Sequence, residues 1–279
     1  MEKQKNSPFL EQERDIAFAA ARAAGVIIRA LYTAQYTVGY KGKDSPVTVA
    51  DRDANQKIHD LLQGQFPQDG WLSEETVDSP ARLSYRRVWV VDPLDGTKEF
   101  IEKIPEFAVS IALVEEGVPI LGVVYNPLQD QLFWAARGQG AWLGNRRLFV
   151  SSTTQLADAM ILSSRSETKR GEWAEFESLF HTRPMGSIAY KLAVIALAEA
   201  DATFTLVPKN EWDICAGTLL VEEAGGKVTH LNGQPVLFNQ PRTLLQGLVS
   251  SNGSLHAQLL ALIAPRLIKS ASASPFKST

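Results

Sequence analysis

Two carboxylates, Asp92 and Asp95, stand close together in Asp92-Pro93-Leu94-Asp95-Gly96-Thr97, directly after the apolar run Val88-Trp89-Val90-Val91. A β run that reaches Asp-Pro has to stop pairing there, because proline has no amide hydrogen and restrains the residue before it. The chain therefore turns where the carboxylates sit. Asp92, Asp95 and the backbone carbonyl of Leu94 form a hard oxygen set of the kind Mg²⁺ takes in preference to softer metals. Gly96 lets backbone approach a ligand closely, and a helix starting at Thr97 would turn its free amides toward a phosphate beside the metals. The same residue types also make an ordinary turn. Against that reading stand two more acidic groups at the ends of regular elements, Ser73-Glu74-Glu75 and Glu211-Trp212-Asp213, so three clusters point to one convergent site.

The elements that must position them follow from periodicity. Residues Glu11 to Leu31 form an alanine-rich helix with Ile16, Ala20, Ala23 and Ile27 on its apolar face. A second helix spans Ala54 to Leu62, with Asp53 as its cap. Phe107 to Val114, Ile120 to Tyr125, Gln131 to Ala135 and Gly140 to Leu143 read as a meander, so the first half is helices plus an antiparallel sheet. Gly138-Gln139-Gly140-Ala141-Trp142-Leu143-Gly144 has the look of a dinucleotide loop, but its last spacing is one residue too long and no βαβ pattern surrounds it; it reads as a glycine-rich hairpin. After Ser151-Ser152-Thr153-Thr154 the pattern becomes α/β: a strand at Met160 to Ser163, helices at Gly171 to Phe180 and Ile188 to Ala200, a strand at Ala202 to Val207 and a helix at Ile214 to Ala224. A boundary near Val150 divides a subdomain of residues 1–150, carrying most of the metal ligands, from one of residues 151–269, with Ser270 to Thr279 as a disordered tail.

Composition bounds the function without naming it. The chain of 279 residues is 45% hydrophobic and can bury a large core. A formal charge of −3 lacks the basic balance that long nucleic acids require, so no nucleic acid polymer is expected as a partner. The polar stretch Met1 to Arg14 has no apolar signal core and later apolar runs are interrupted by charge, so no membrane partner is expected and cytoplasmic residence is. The lone Cys215 excludes an intrachain disulfide and reads as a small buried residue. His59, His181, His230 and His256 have no zinc-ligand spacing.

Five segments together resemble the inositol monophosphatase superfamily of Mg²⁺-dependent, lithium-sensitive phosphatases, from about Ala17 to Leu262. They are Asp44-Ser45-Pro46-Val47-Thr48-Val49-Ala50-Asp51, Ser73-Glu74-Glu75, Asp92 to Thr97, Gly122-Val123-Val124-Tyr125-Asn126-Pro127, and Trp212-Asp213 through Glu223-Ala224-Gly225-Gly226. Lys98-Glu99-Phe100 looks like the 3'(2'),5'-bisphosphate nucleotidase branch, since inositol monophosphatases usually carry Thr-Asn-Phe there. The resemblance implies an α/β fold, an αβαβα layered sandwich, and a cofactor of two or three Mg²⁺ ions; a homodimer is common in the family. It implies Glu74, Asp92 and the Leu94 carbonyl as ligands of one ion, and Asp92, Asp95 and Asp213 as ligands of a second. Thr97 would orient the attacking water, with Asp51 or Glu74 as its acidic partner, while the Gly96 and Thr97 amides hold the phosphate. Arg165, Ser187 and Lys191 lie in segments resembling those beside the nucleotide's second phosphate and base. Glu75 reads as a tuning neighbour and Trp212 as packing. Before Trp212-Asp213, Val207-Pro208-Lys209-Asn210-Glu211 replaces the more common Tyr-Pro-Arg-containing nucleotidase segment.

Hydrolysis of a phosphate monoester needs an activated water, neutralised phosphoryl oxygens and a stabilised leaving alkoxide, which paired Mg²⁺ ions can supply. The expected activity is removal of the 3'-phosphate from 3'-phosphoadenosine 5'-phosphate to give AMP, the partner being a small phosphate ester. The alternatives are an inositol or other sugar-phosphate phosphatase and, from another class, a regulatory binding protein with a vestigial site.

Overall fold

The structure is a computed structural model that describes residues 10–41 and 46–272; Asp44 and Ser45 of the first motif and residues 273–279 of the expected tail lie outside the described residues. Helices α1 (Glu11–Tyr32) and α2 (Val49–Gln65) flank a short hairpin, β1 (Gly39–Tyr40) with β2 (Pro46–Val47). Both helices pack on one face of a seven-stranded sheet of β3 (Gly70–Ser73), β4 (Arg87–Asp95), β5 (Ala108–Glu115), β6 (Val118–Asn126), β7 (Gln131–Ala136), β8 (Gly140–Leu143) and β9 (Arg146–Leu148), arranged in chain order. Helix α3 (Thr97–Ile101) follows β4. The five-stranded second sheet takes β10 (Met160–Ser164), β11 (His181–Met185), β12 (Ala202–Thr205), β14 (Lys227–Thr229) and β16 (Leu248–Ser251) in the order β11-β10-β12-β16-β14. A two-residue pair, β13 (Lys209–Asn210) with β15 (Leu244–Leu245), stands apart from it.

Helices α5 (Ile188–Ala196) and α6 (Glu211–Glu223) lie between the sheets, and their residues dominate the largest buried apolar cluster. Helix α7 (His256–Ser272) closes the far face together with Trp173, Phe176 and Phe180, and the short α4 (Arg165–Lys169) follows β10. The order of layers is the expected αβαβα sandwich. Middle helices apolar on every side follow from burial between two sheets. All nine residues of α5 are buried.

Several sequence expectations are corrected. The first sheet is not wholly antiparallel: β3 runs parallel to β4, because the link between them returns the chain through a 3-10 turn at Pro80–Ser84. That pairing sets Ser73 opposite Val91, which brings Glu74 and Asp92 to the same sheet end. Helix α1 buries Ala17, Ala20, Ala21, Ala24, Gly25 and Ile28, so its inward face lies one residue along from the one expected and is narrower in side chain. Gly25 there lies against the Tyr125 ring. Gly171 to Phe180 is not an α-helix but turns around a 3-10 segment at Ala174–Phe176. Its helix-like aromatic spacing serves a cluster, with Phe176 at 5.6 Å from Trp173 and 6.0 Å from Phe180 by ring centroid. Ser270, expected in the tail, lies within α7. Gly138 to Gly144 forms the β7–β8 hairpin as expected.

The middle layer is seated by one close approach. A Cβ on Gly122 of β6 would lie 2.8 Å from the Ala216 carbonyl oxygen and 3.1 Å from its Cα in α6, both backbone atoms that cannot rotate away. Gly122→Ala should therefore destabilise by about 1–3 kcal/mol, as overpacked positions do. Thermal denaturation checks this, and an unchanged midpoint would show that α6 has slack against β6.

Candidate active site

Pairing along β4 does not end at Asp92. Asp92 opposes Ser110 and Asp95 opposes Ala108, so the register shifts between them and the chain bulges instead of stopping. Pro93, which cannot donate to a ladder, falls inside the bulge. The Asp92 Oδ1 accepts the Leu94 amide at 2.9 Å, which fixes the carboxylate beside the turned-out backbone. Gly96, at φ +102°, then reverses the chain into α3, and a Cβ there would meet the Glu106 carbonyl at 3.0 Å.

Glu74 enters from the parallel neighbour, its amide donating to the Val91 carbonyl at 3.2 Å. Asp213 is the third residue of α6, and its Oδ2 accepts the Asn210 amide at 3.0 Å. Carboxylate oxygens of Glu74, Asp92 and Asp213 all lie within 4.8 Å of one another. Asp92 is 1% exposed, and burial, followed by repulsion from Glu74, Asp95 and Asp213, raises its carboxyl well above the usual range. Asp213 is raised in the same way by burial and then by Asp95 and Glu74. Such a cluster fits a hard divalent cation, because the donors are all oxygen and the repulsion is what a doubly charged ion relieves. The cation paired with this edge of the cluster is Lys41, whose Nζ lies 3.0 Å from Glu74 Oε1 and also pairs with Glu75.

Asp95 lies in the same cleft but is tied to the second half of the chain. Its Oδ2 accepts Ser187 Oγ and the Ala189 amide, each at 2.6 Å. Burial raises the Asp95 carboxyl and these two bonds oppose the rise. Ser187 caps α5 at φ 47°, a strained setting for a residue with a Cβ, so Asp95 holds the start of α5 in place.

Asp51 stands behind the cleft. Thr48, not Asp53, caps α2, which begins earlier than expected; Asp53 is exposed past the first turn. The Asp51 Oδ2 accepts the Thr48 amide and hydroxyl, both at 2.7 Å, while Oδ1 accepts the Thr97 hydroxyl at 2.8 Å. Burial raises the Asp51 carboxyl against those hydrogen bonds.

The cleft has a volume of about 280 Å³ and is lined by Glu74, Asp92, Leu94, Asp95, Gly96, Thr97, Arg165, Ser187, Lys191 and Asp213, every expected site residue except Asp51. Arg165 is already engaged, 3.5 Å from both Glu99 and Glu102. Glu99, which could have been a solvated neighbour of Lys98, is 7% exposed and pushed up to about 7 by burial. Lys191 is 4% exposed and burial, then repulsion from Lys209, lowers it to about 8. Lys209 and Asn210 also line the cleft, although sequence reasoning gave neither a role. The signal was the departure from the nucleotidase pattern in that segment, which marks a changed wall. Trp212 packs against the main core, and its carbonyl accepts Ser110 Oγ at 3.0 Å.

Residues 10–267 match the Inositol monophosphatase family. The chain belongs to that family. An inositol-1-monophosphatase of Caulobacter vibrioides is 34% identical over 263 residues, 90% of this chain and 97% of its own. The Nus factor SuhB of Escherichia coli K12 is 37% identical over 230 residues, 78% of this chain and 85% of its own. Among solved structures, an IMPase of Thermotoga maritima superposes with a TM-score of 0.82 at 28% identity, covering 92% of this chain and 99% of that one. Inositol monophosphatase family enzymes are metal-dependent phosphatases that use Mg²⁺. Among the described residues no helix is long and apolar enough to cross a membrane.

For this family member the metal-free protein should respond to pH in a defined direction. Carboxyls raised in the folded state hold protons that the unfolded chain has already lost, so stability falls as pH rises from the ordinary carboxylate range through the folded values, about 7 for Glu99 and Glu211. In chelator the melting temperature should fall between pH 5.5 and pH 7.5. Mg²⁺ should restore it, by roughly 2.7 kcal/mol at a hundred times its dissociation constant. A midpoint indifferent to Mg²⁺ at the upper pH would contradict the metal assignment.

Proposed function

We propose that this protein is a Mg²⁺-dependent phosphomonoesterase that releases phosphate from a ring hydroxyl of a small substrate, an inositol or a ribose. The observation that carries the reading is the set of three carboxylates within 4.8 Å of one another beside the hydrogen-bonded Thr97 and Asp51. Glu74, Asp92 and Asp213 would hold Mg²⁺, joined by Asp95 and the Leu94 carbonyl. Once bound, Mg²⁺ supplies positive charge to the phosphoryl and leaving oxygens and acidifies water.

The remaining work falls to the protein's own groups. The Thr97 hydroxyl donates to Asp51 and lines the cleft, so it can take a proton from water as it passes its own hydrogen to Asp51. Asp51 is the destination of that proton, and its raised carboxyl makes it a better acceptor than an exposed aspartate. Amides at Gly96 and Thr97 would orient the phosphate. Asp95, through Ser187 and Ala189, keeps the substrate-facing start of α5 against the catalytic end of the first sheet.

Two substrates divide the support. The name of the Caulobacter vibrioides relative, an inositol-1-monophosphatase, favours an inositol monophosphate. Lys98-Glu99-Phe100 and the buried Lys191 favour 3'-phosphoadenosine 5'-phosphate, the substrate expected from sequence. The regulatory reading draws on the E. coli relative's name, but a complete acidic set supports an enzyme.

Mg²⁺-dependent phosphate release from 3'-phosphoadenosine 5'-phosphate, inositol 1-phosphate and fructose 1,6-bisphosphate, compared by kcat/KM, tests the activity. Absence of release from all three in the presence of Mg²⁺ would refute it. Asp51→Asn should lower kcat by roughly 10²- to 10⁴-fold with KM little changed, the range for a lost proton acceptor. Asp95→Asn should lose nearly all turnover while keeping its fold by circular dichroism; near-normal turnover would remove Asp95 from the site.

A further inference from the structure

Glu211 opens α6 two residues before Asp213, yet it is 0% exposed and both of its oxygens are taken up by backbone. Oε2 accepts the Asn239 amide at 2.5 Å and Oε1 the Gln240 amide at 2.9 Å, while the Glu211 amide donates to the Thr243 carbonyl at 2.9 Å. Asn239 and Gln240 are held from a second side by Arg82, which is 2% exposed in the 3-10 turn that follows Glu74 along the chain. Arg82 donates through Nη1 to Asn239 Oδ1 at 2.6 Å and through Nη2 to the Gln240 carbonyl at 2.8 Å. Asp78 fixes the guanidinium, accepting from Nε at 2.7 Å and from Nη2 at 3.1 Å.

These bonds join the two parts of the chain that deliver metal ligands from opposite halves. Arg82 belongs to the link that runs from Glu74 to β4, and Glu211 to the helix that carries Asp213. The chain entering that helix has little sheet to hold it, since β13 is two residues long and its partner β15 stands apart from both large sheets. Asn239 keeps a φ of 56°, a costly setting for a residue with a Cβ that its surroundings have to enforce. As glue, a buried arginine and glutamate are a poor choice, because apolar side chains of similar volume often hold segments together as well or better. What the charged pair adds is direction, since the planar guanidinium fork fixes angle as well as distance.

We propose that Arg82 and Glu211 are positioning residues: clamped on Asn239 and Gln240, they set the spacing between Glu74 and Asp213 and thereby the affinity of the carboxylate trio for a divalent cation. This rests on the reading of the trio as a Mg²⁺ site. Without metal the three carboxylates repel, and the clamp opposes their separation. With the clamp loosened Asp213 retreats, and the work of drawing it back is subtracted from the cation's binding. At saturating Mg²⁺ the arrangement is restored, so turnover changes little.

The test is calorimetric titration of chelator-treated protein with Mg²⁺ alone, in the wild type, Arg82→Lys, Glu211→Gln and, as a control for general loss of stability, Ile263→Ala in the far apolar cluster. Arg82→Lys loses the fork and Glu211→Gln turns an NH₂ toward one of the two amides. Each should raise the Mg²⁺ dissociation constant roughly tenfold, the lower end for partners behind metal ligands. Ile263→Ala should lower the melting temperature and leave Mg²⁺ binding as it was. In phosphate release the Mg²⁺ concentration for half-maximal rate should rise by the same factor in both clamp variants, with kcat at saturating Mg²⁺ within about twofold of the wild type. If Glu211→Gln does not fold, Arg82→Lys carries the test. Clamp variants that melt lower but bind Mg²⁺ like the wild type would reduce Arg82 and Glu211 to structural residues, and equal weakening in Ile263→Ala would overturn the proposal as well. A wild type that binds no Mg²⁺ refutes the metal reading itself, and the clamp's role with it; wild-type binding with unchanged variants refutes the clamp alone.

Discussion

Repulsion among carboxylates taken out of water is the constraint around which this fold is arranged. Two unit charges about 4 Å apart at an effective dielectric near 20 oppose one another by about 4 kcal/mol. The protein does not avoid that cost; it restrains four of the carboxylates with a backbone amide and meets the fifth, Glu74, with the Lys41 ammonium. Asp92 has Leu94, Asp95 has Ala189, Asp213 has Asn210 and Asp51 has Thr48. Two of the four, Asp51 and Asp213, are the third residue of a helix, where a carboxylate meets the free amides of the first turn. Local helix chemistry and the electrostatics of the site thus use the same atoms.

What could be read in the sequence was what chain chemistry writes locally. Asp92 and Asp95 were legible because Asp-Pro and Asp-Gly mark an interruption, and Glu74 and Asp213 because acidic groups bordered apolar runs. The type of interruption was less legible: a proline that halts a strand and a proline seated in a bulge have the same neighbours in sequence, and only the partner strand's continuation distinguishes them. Thr48 and Asp53 are both good caps, and choosing between them required knowing where α2 begins. Gly171 to Phe180 carried helical spacing for a tertiary reason, the need to bring three rings to one cluster. The parallel direction of β3 also depended on a long link whose path no short-range signal records.

Substrate-side residues were hardest to read, because their meaning depends on pairing across the chain. Arg165 looked like a free donor until Glu99 and Glu102, more than sixty positions away, took it up. Lys209 looked like a loss from a familiar pattern, whereas its position on the cleft wall comes from a two-residue strand pair with Leu245. A charged residue has no role by itself; its neighbours decide whether it is spent or available.

The middle layer bears on how the chain is made. Glu74, Asp92, Asp95 and Thr97 are all synthesised before the helix that brings Asp213 and covers the inner face of the first sheet. At roughly 5–20 residues per second, a ribosome leaves that apolar face bare for several seconds after the last strand of the first sheet has emerged. Newly made chains therefore pass through a state with Glu74, Asp92 and Asp95 in place without Asp213 and with an open apolar surface, and the crowded cell has to keep them apart until α6 arrives.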